Sequence, residues 1–253
     1  MSADEIRSLL KAVQSSQTTV EEALARLRLA DTEDLGFARL DHQRYRRQGL
    51  AEVVYAEGKL PEETASIVKR LWQQDSPVVI ASRVDQETST AIQLEVPEAV
   101  YHPRCQLVIA QKPKAQGPET LGEIVVVAAG TSDLAVAEEA FFVAEALGNP
   151  SRLIVDVGVA GIHRLFEVWP SIASARVLIV VAGMEGALAS VVGGLANGPV
   201  LAVPSPVGYG AAQGGLTALQ AMLSSCALGV GVFNIGNGIG AAVLATKINQ
   251  PKR

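Results

Sequence analysis

VLIVVAGMEGALASVVGGLANGPVLAVP, residues Val177–Pro204, is the stretch whose reading decides the fold. It opens with an apolar run, Val177–Ala182, rich in β-branched side chains and too short to span a membrane. Such a run suits a strand buried on both faces of a parallel sheet. Gly183 ends the run, and Glu185 starts a helix of small residues expected over Glu185–Leu195. Gly193-Gly194 closes that helix, and Asn197-Gly198-Pro199 turns the chain into a second buried strand, Val200–Val203. Glu185 then falls at the carboxyl end of a central strand beside a helix N-terminus, where open α/β sheets bind their ligands.

Outward from this unit the same alternation continues. Strands are expected at Ile124–Ala128, Leu153–Val157 and Val230–Asn234, and helices at about Leu134–Leu147, Ile162–Ile172, Gly214–Cys226 and Ile239–Ile248. Five apolar strands with intervening helices imply right-handed crossovers and a three-layer αβα sandwich. The simplest strand order is flavodoxin-like, 2-1-3-4-5, with the ligand crevice at the strand 1/strand 3 switch point. That crevice would be lined by Gly130-Thr131-Ser132-Asp133 and by Gly183-Met184-Glu185-Gly186.

The first 112 residues read as a smaller α/β domain. Capping signals precede amphipathic helices at Ile6–Val13 and Glu22–Leu29. Strands follow at Glu52–Tyr55, Val78–Ala81, Ala99–His102 and Leu107–Ala110, with helices at Pro61–Gln74 and about Asp85–Gln93. Within Gly36–Gly49, Arg44, Arg46 and Arg47 crowd around Tyr45. They suit either a solvated face or the recognition of phosphate or carboxylate. The polar, Pro/Gly-rich segment 113–122 is the expected linker to a domain over 123–253.

Composition narrows the function classes. Apolar residues make up 49% of the chain but aromatic ones only 4%, which favours a tightly layered α/β body over a β-sandwich. A formal charge of −5 argues against a general nucleic-acid binder. The N-terminus lacks the order of a signal peptide and no apolar run is long enough for a membrane span, so a soluble, cytoplasmic protein is expected. Two cysteines make no disulfide framework. No His/Cys cluster has the spacing of a zinc site, and neither G-x-G-x-x-G at the first turn nor a P-loop motif occurs.

Several residues could carry chemistry. The hydroxyls and free amides of Gly130–Asp133, at a helix start, could hold a phosphate; Ser, Thr and Asp there would equally serve as caps. Val157–Arg164 presents Gly158, Gly161 and His163 after the second strand, and the histidine could bind phosphate, move a proton or satisfy a backbone group. Glu185, among Ala, Val, Met and Gly, is expected to be partly desolvated, which raises a carboxyl pKa and suits proton transfer near neutrality. Cys226 ends the helix GLTALQAMLSSC; it is either packing or a nucleophile, and a helix C-terminus does not activate a thiol.

Taken together, AAGTSD, DVGVAGIHRL, VVAGMEGALASVVGGL, PVLAVPSPVGYG, GLTALQAMLSSCALGV and NIGNGIGAA resemble the LarB family, the pyridinium-3,5-biscarboxylic acid mononucleotide synthases of nickel-pincer cofactor biosynthesis. The resemblance continues through LGFARLDHQRYRRQGLAEVVYAEGK in the first domain. The second domain is similar to aminoimidazole ribonucleotide carboxylase/mutase, with Glu185 where those purine enzymes usually carry a histidine. The resemblance implies carboxylation of nicotinic acid adenine dinucleotide at ring carbon 5 by CO2 or bicarbonate, and hydrolysis of its phosphoanhydride to release AMP. It implies Cys226 as the nucleophile that adds to the ring and Glu185 as the proton acceptor. Gly130–Asp133, Gly158, Gly161, His163, Gly183, Met184 and Gly186 would bind substrate. Mg²⁺ held mainly by substrate phosphates and a homo-octamer are implied as well. The rivals are a purine-pathway carboxylase or mutase and a non-catalytic nucleotide sensor.

Overall fold

The computed structural model describes residues 3–29, 32–42, 44, 52–74, 76–113 and 119–250. The chain divides into two compact units, Met1–Val100 and Tyr101–Arg253. The first opens with α1 (Ala3–Gln14) and α2 (Val20–Leu29). A reciprocal cap fixes the start of α2: Thr19 N donates to Glu22 Oε2 (3.0 Å) and Glu22 N to Thr19 Oγ1 (3.1 Å).

Next comes an antiparallel hairpin of β1 (Thr32–Asp34) and β2 (Arg39–Asp41). Nothing in the sequence reading anticipated it. Each strand is three residues long, below the length at which alternation becomes visible, and the turn is set by Gly36 at φ +85°. Arg44 is half-buried, whereas Tyr45, Arg46 and Arg47 lie outside the described residues. β3 (Val53–Tyr55) pairs in parallel with β4 (Val78–Ser82), and α3 (Pro61–Gln73) connects them. α4 (Gln86–Glu95) is capped by Asp85, whose side chain accepts from Thr88 N at 2.8 Å. β5 (Val100–His102) and β6 (Leu107–Gln111) follow.

The second unit holds the sheet that Val177–Pro204 foretells. Its strands are β7 (Ile124–Ala128), β8 (Ser151–Ile154), β9 (Val177–Ala182), β10 (Val200–Pro204) and β11 (Val230–Val232). The order is β11-β10-β9-β7-β8 and every pairing is parallel. Counted within the unit this is 2-1-3-4-5, so the order reverses between β7 and β9. The helices are α5 (Leu134–Ala146), α6 (Ile162–Ala173), α7 (Ala187–Leu195), α8 (Leu216–Leu223) and α9 (Gly238–Asn249). β7, β9 and β10 are buried at every position, which is why their sequences are unbroken apolar runs. Leu165, Leu178, Val180, Leu188 and Met222 pack one face of the sheet.

Several boundaries depart from the sequence reading, and three of them bear on the candidate site residues. β8 ends at Ile154 rather than Val157, because Asp156 takes a left-handed φ of +63° and leaves the ladder. α7 begins at Ala187 rather than Glu185, because Met184 (φ +51°) and Gly186 (φ +66°) make a non-helical turn first. α8 stops at Leu223, three residues short of Cys226. There Ser224 caps the helix by donating its backbone N–H to Gln220 O, and Ser190 Oγ on α7 donates to Ser225 Oγ at 2.8 Å. Among the described residues no helix is long and apolar enough to cross a membrane.

Candidate functional site

A cleft of about 310 Å³ opens at the carboxyl ends of β7 and β9, the point where the strand order reverses. That volume lies at the lower end of the range for ligand pockets. One wall is the turn 130–133. Gly130 N donates to Asp133 Oδ2 (2.9 Å), and Ser205 Oγ, leaving β10, donates to Asp133 Oδ1 (2.5 Å). The Asp133 carboxylate is buried and spends both oxygens on the scaffold, tying the turn to the end of β10. Ser132 is exposed and lines the cleft, while the Thr131 side chain does not.

The opposite wall is Gly183–Glu185. Met184 N donates to Val207 O (2.8 Å) and Gly186 N to Gly183 O (2.9 Å), closing a tight turn. Gly183 is required by space: a Cβ there would lie 2.8 Å from Ser205 Oγ and closer still to Val207 O. Met184, with no glycine's freedom, adopts a left-handed φ at the cleft, a strain of about 1–3 kcal/mol that such turns hold at functional sites. Glu185 reaches the cleft mouth and is exposed. The partial desolvation expected for it is therefore not supplied within one chain. Of its apolar neighbours, Ala189 is wholly buried, while Met184 is exposed and shares the cleft lining with Ala187.

The third wall comes from the loop after β8. Gly158 lies so near Ala129 that a Cβ would sit 2.9 Å from its carbonyl oxygen. Arg164, on the first turn of α6, reaches back to Asp156 with Nη1–Oδ2 at 2.5 Å, and both residues line the cleft. The sequence reading singled out His163 and passed over Arg164. Adjacent positions of a helix point about 100° apart, so one of the two faces the cleft. It is Arg164; His163 is exposed and stands outside the lining, as do Gly161 and Gly186. A Cβ on Gly161 would press on Arg164 Nε at 2.7 Å, so that glycine makes room for the guanidinium. Asp156, Val207 and Ser205 were also missed. They become neighbours only once three strands are assembled, and no local spacing announces that.

Cys226 is exposed, and it does not line this cleft. The segment joining α8 to β11 runs at the amino end of the parallel strands, the edge opposite the crevice. It packs against α7 between Ser190 and Gly193: Ser190 holds Ser225, and a Cβ on Gly193 would meet Ala227 Cβ at 3.1 Å. One chain thus joins Glu185, Arg164, Ser132 and the Gly130–Asp133 turn but leaves Cys226 apart. Cys105, the other thiol, is buried, and desolvation, with Glu138 and Glu139 nearby, pushes its pKa up to about 12.

Comparison with known proteins follows this geometry. Residues 32–112 match the LarB/PurE-like N-terminal domain, and residues 123–253 match AIR carboxylase. An uncharacterized protein of Methanocaldococcus jannaschii, MJ0165, is 34% identical over 248 residues, covering 95% of each chain. The second match spans the whole five-stranded sheet and every wall of the cleft. With both parts matched in this order, the chain belongs to the carboxylase family that joins a LarB/PurE-like N-terminal domain to an AIR carboxylase domain.

Proposed function

We propose that the protein carboxylates the pyridinium ring of nicotinic acid adenine dinucleotide at carbon 5 and hydrolyses its phosphoanhydride, releasing AMP and pyridinium-3,5-biscarboxylic acid mononucleotide. The observation that carries this reading is the cleft at the sheet's switch point. There an exposed carboxylate, Glu185, faces a helix-start turn and an arginine suited to phosphate. The pyridinium ring is electron-poor, so carbon 5 cannot attack CO2 unaided. The Cys226 thiolate adds to carbon 4, which leaves carbon 5 as the nucleophilic end of an enamine. Carbon 5 forms a bond to CO2, its proton passes to Glu185, and the C4–S bond breaks as aromaticity returns. Water then cleaves the phosphoanhydride, with Arg164 and the 130–133 turn holding the phosphates.

Mg²⁺ on the pyrophosphate would neutralise charge during that cleavage. Among the described residues no group of three or more His, Cys, Asp or Glu side chains could hold a metal ion. The ion would rest mainly on phosphate oxygens and water, since Mg²⁺ usually keeps several waters and needs no all-protein cage.

Because Cys226 stands outside its own chain's cleft, the thiol reaches the ring from another copy in a homo-oligomer, which family resemblance makes an octamer. Exposed leucines support a covered face there: Leu223 is 66% and Leu228 93% accessible, on either side of Cys226. A second reading, a purine-type carboxylase or mutase acting on aminoimidazole ribonucleotide, is favoured by the absence of Cys226 from the cleft, since that chemistry needs no thiol.

Incubation with nicotinic acid adenine dinucleotide, bicarbonate and Mg²⁺, followed by mass spectrometry, separates the two. AMP and the dicarboxylated mononucleotide are expected from the wild type and from Cys105→Ala. Cys226→Ala and Glu185→Gln should each lose carboxylation, and co-assembly of the two variants should restore part of it. Full activity of Cys226→Ala would overturn the thiol mechanism, and turnover of aminoimidazole ribonucleotide instead would establish the second reading.

A further inference from the structure

The cleft has a phosphate-holding wall and a carboxylate, but among the described residues no aromatic side chain lines it. A ligand with flat heterocyclic rings is left without a π-face partner. Just beyond Val207, which forms part of the lining, the chain reads Gly208-Tyr209-Gly210. Tyr209 is 77% accessible, well above Phe166 at 53%, the next large exposed aromatic of this unit.

The Tyr209 backbone is nonetheless fixed on both sides. Before it, Val207 O accepts from Met184 N (2.8 Å) and Val207 N donates to Ser205 Oγ (3.3 Å). After it, Ala212 N donates to Tyr209 O (3.0 Å), and Gly208 lies so close to Ala212 that no Cβ would fit between them. Gly210, at φ +56°, turns the chain into the short helical segment Gly210–Gly215. A rigid turn therefore presents a solvated aromatic ring. Consecutive Cα atoms are about 3.8 Å apart, which puts the Tyr209 Cα within about 8 Å of the Val207 Cα. Tyr209 therefore starts two residues from the cleft lining.

We infer that Tyr209 is the stacking platform for a flat ring of the bound nucleotide, a ligand-contacting residue that selects ring-bearing phosphates over bare sugar phosphates. The inference rests on the proposed function in one respect, that the ligand carries an aromatic heterocycle. Stacking suits this place because every nucleobase offers a π-face and the tyrosine ring pays little conformational entropy.

The test is calorimetric titration of the full-length protein and its Tyr209→Ala, Tyr209→Phe and Tyr209→Trp variants with nicotinic acid adenine dinucleotide, AMP and ribose 5-phosphate. Tyr209→Ala should raise Kd for the two nucleotides about tenfold while leaving ribose 5-phosphate unchanged. Phe and Trp should restore nucleotide affinity, and the mass of the assembly should not change. Wild-type nucleotide affinity in Tyr209→Ala, equal loss for ribose 5-phosphate, or a dissociated assembly would each overturn the inference. Nucleotide binding that depends on Tyr209 in a protein that makes no AMP would refute the proposed reaction and leave the stacking role standing. No nucleotide binding by the wild type would refute both.

Discussion

Gly183→Ala tests how the cleft is held. Gly183 is buried and its φ lies outside the left-handed region, so the backbone itself accepts alanine. What it cannot accept is the methyl group, which would crowd Val207 O, Ser205 Oγ (2.8 Å) and Val207 Cβ (2.9 Å). The loop carrying Val207 must move, and the Met184 N–Val207 O bond breaks with it. Overpacking costs about 1–3 kcal/mol and the lost hydrogen bond about 0.5–1.5 kcal/mol, together about 1.5–4.5 kcal/mol. At about 2–4 °C per kcal/mol for a body of this size, Tm should fall by roughly 3–18 °C. Gly194→Ala is the matched control. It sits in α7 with nothing within 4 Å of its added Cβ, so the same change should raise Tm by about 1–4 °C through helix propensity. Differential scanning calorimetry of both variants decides the matter. If Gly183→Ala melts with the wild type, or if Gly194→Ala falls as far, steric closure between β9 and the loop after β10 is not what shapes the cleft.

Ser205→Ala removes the hydroxyl that donates to the buried Asp133 carboxylate, and chemical denaturation should show a loss of about 1.5–3 kcal/mol, the worth of a hydrogen bond to a charged group. Iodoacetamide near neutral pH should label Cys226 in the dissociated chain and spare Cys105, as peptide mass spectrometry would show, because one thiol is then exposed and the other is buried and held protonated. The Cys105 pKa is raised from 9.0 to about 12, so its contribution to stability is complete below about pH 9 and is lost as pH climbs toward 12. Cys105→Ala should flatten that alkaline limb of the Tm–pH curve. Dilution that dissociates the assembly should abolish carboxylation while AMP binding persists; carboxylation by a proven monomer would contradict a thiol supplied by another copy.

What the sequence makes legible follows from where the determinants lie. β7, β9 and β10 are covered on both faces, so each must be apolar throughout, and unbroken runs of Val, Ile and Leu mark them to within a residue. β8 and β11 are the edges, where one side of the ladder is open and apolar content no longer fixes the ends. Their bounds came from backbone geometry instead, at Asp156 for β8. The site divides in the same way. Turns at strand ends, such as Gly130–Asp133 and Gly183–Gly186, are contiguous, and glycine punctuates them. The Arg164–Asp156 pair and the Ser205–Asp133 bond need residues 8 and 72 positions apart to meet, and local pattern carries no trace of either.

Cys226 marks the limit of such reading, because its meaning is set by what covers it. As the last residue of a helix it would be packing, and its burial would argue against reaction. In the fold it has left the helix and is solvated between two leucines whose exposure costs about 1.5–3 kcal/mol each relative to burial. The same argument applies to Glu185, whose neighbours are apolar while its own side chain is wet. Each of the two residues on which the proposed chemistry depends lacks the desolvation that chemistry calls for, and each stands at a surface of its own chain. A single addition, a second copy laid over the leucine-flanked face, would dry the thiol and bring it toward that copy's cleft. Under the proposed function, assembly would be a condition of the chemistry, and the apolar residues around Cys226 would belong to the active site as much as Glu185 does.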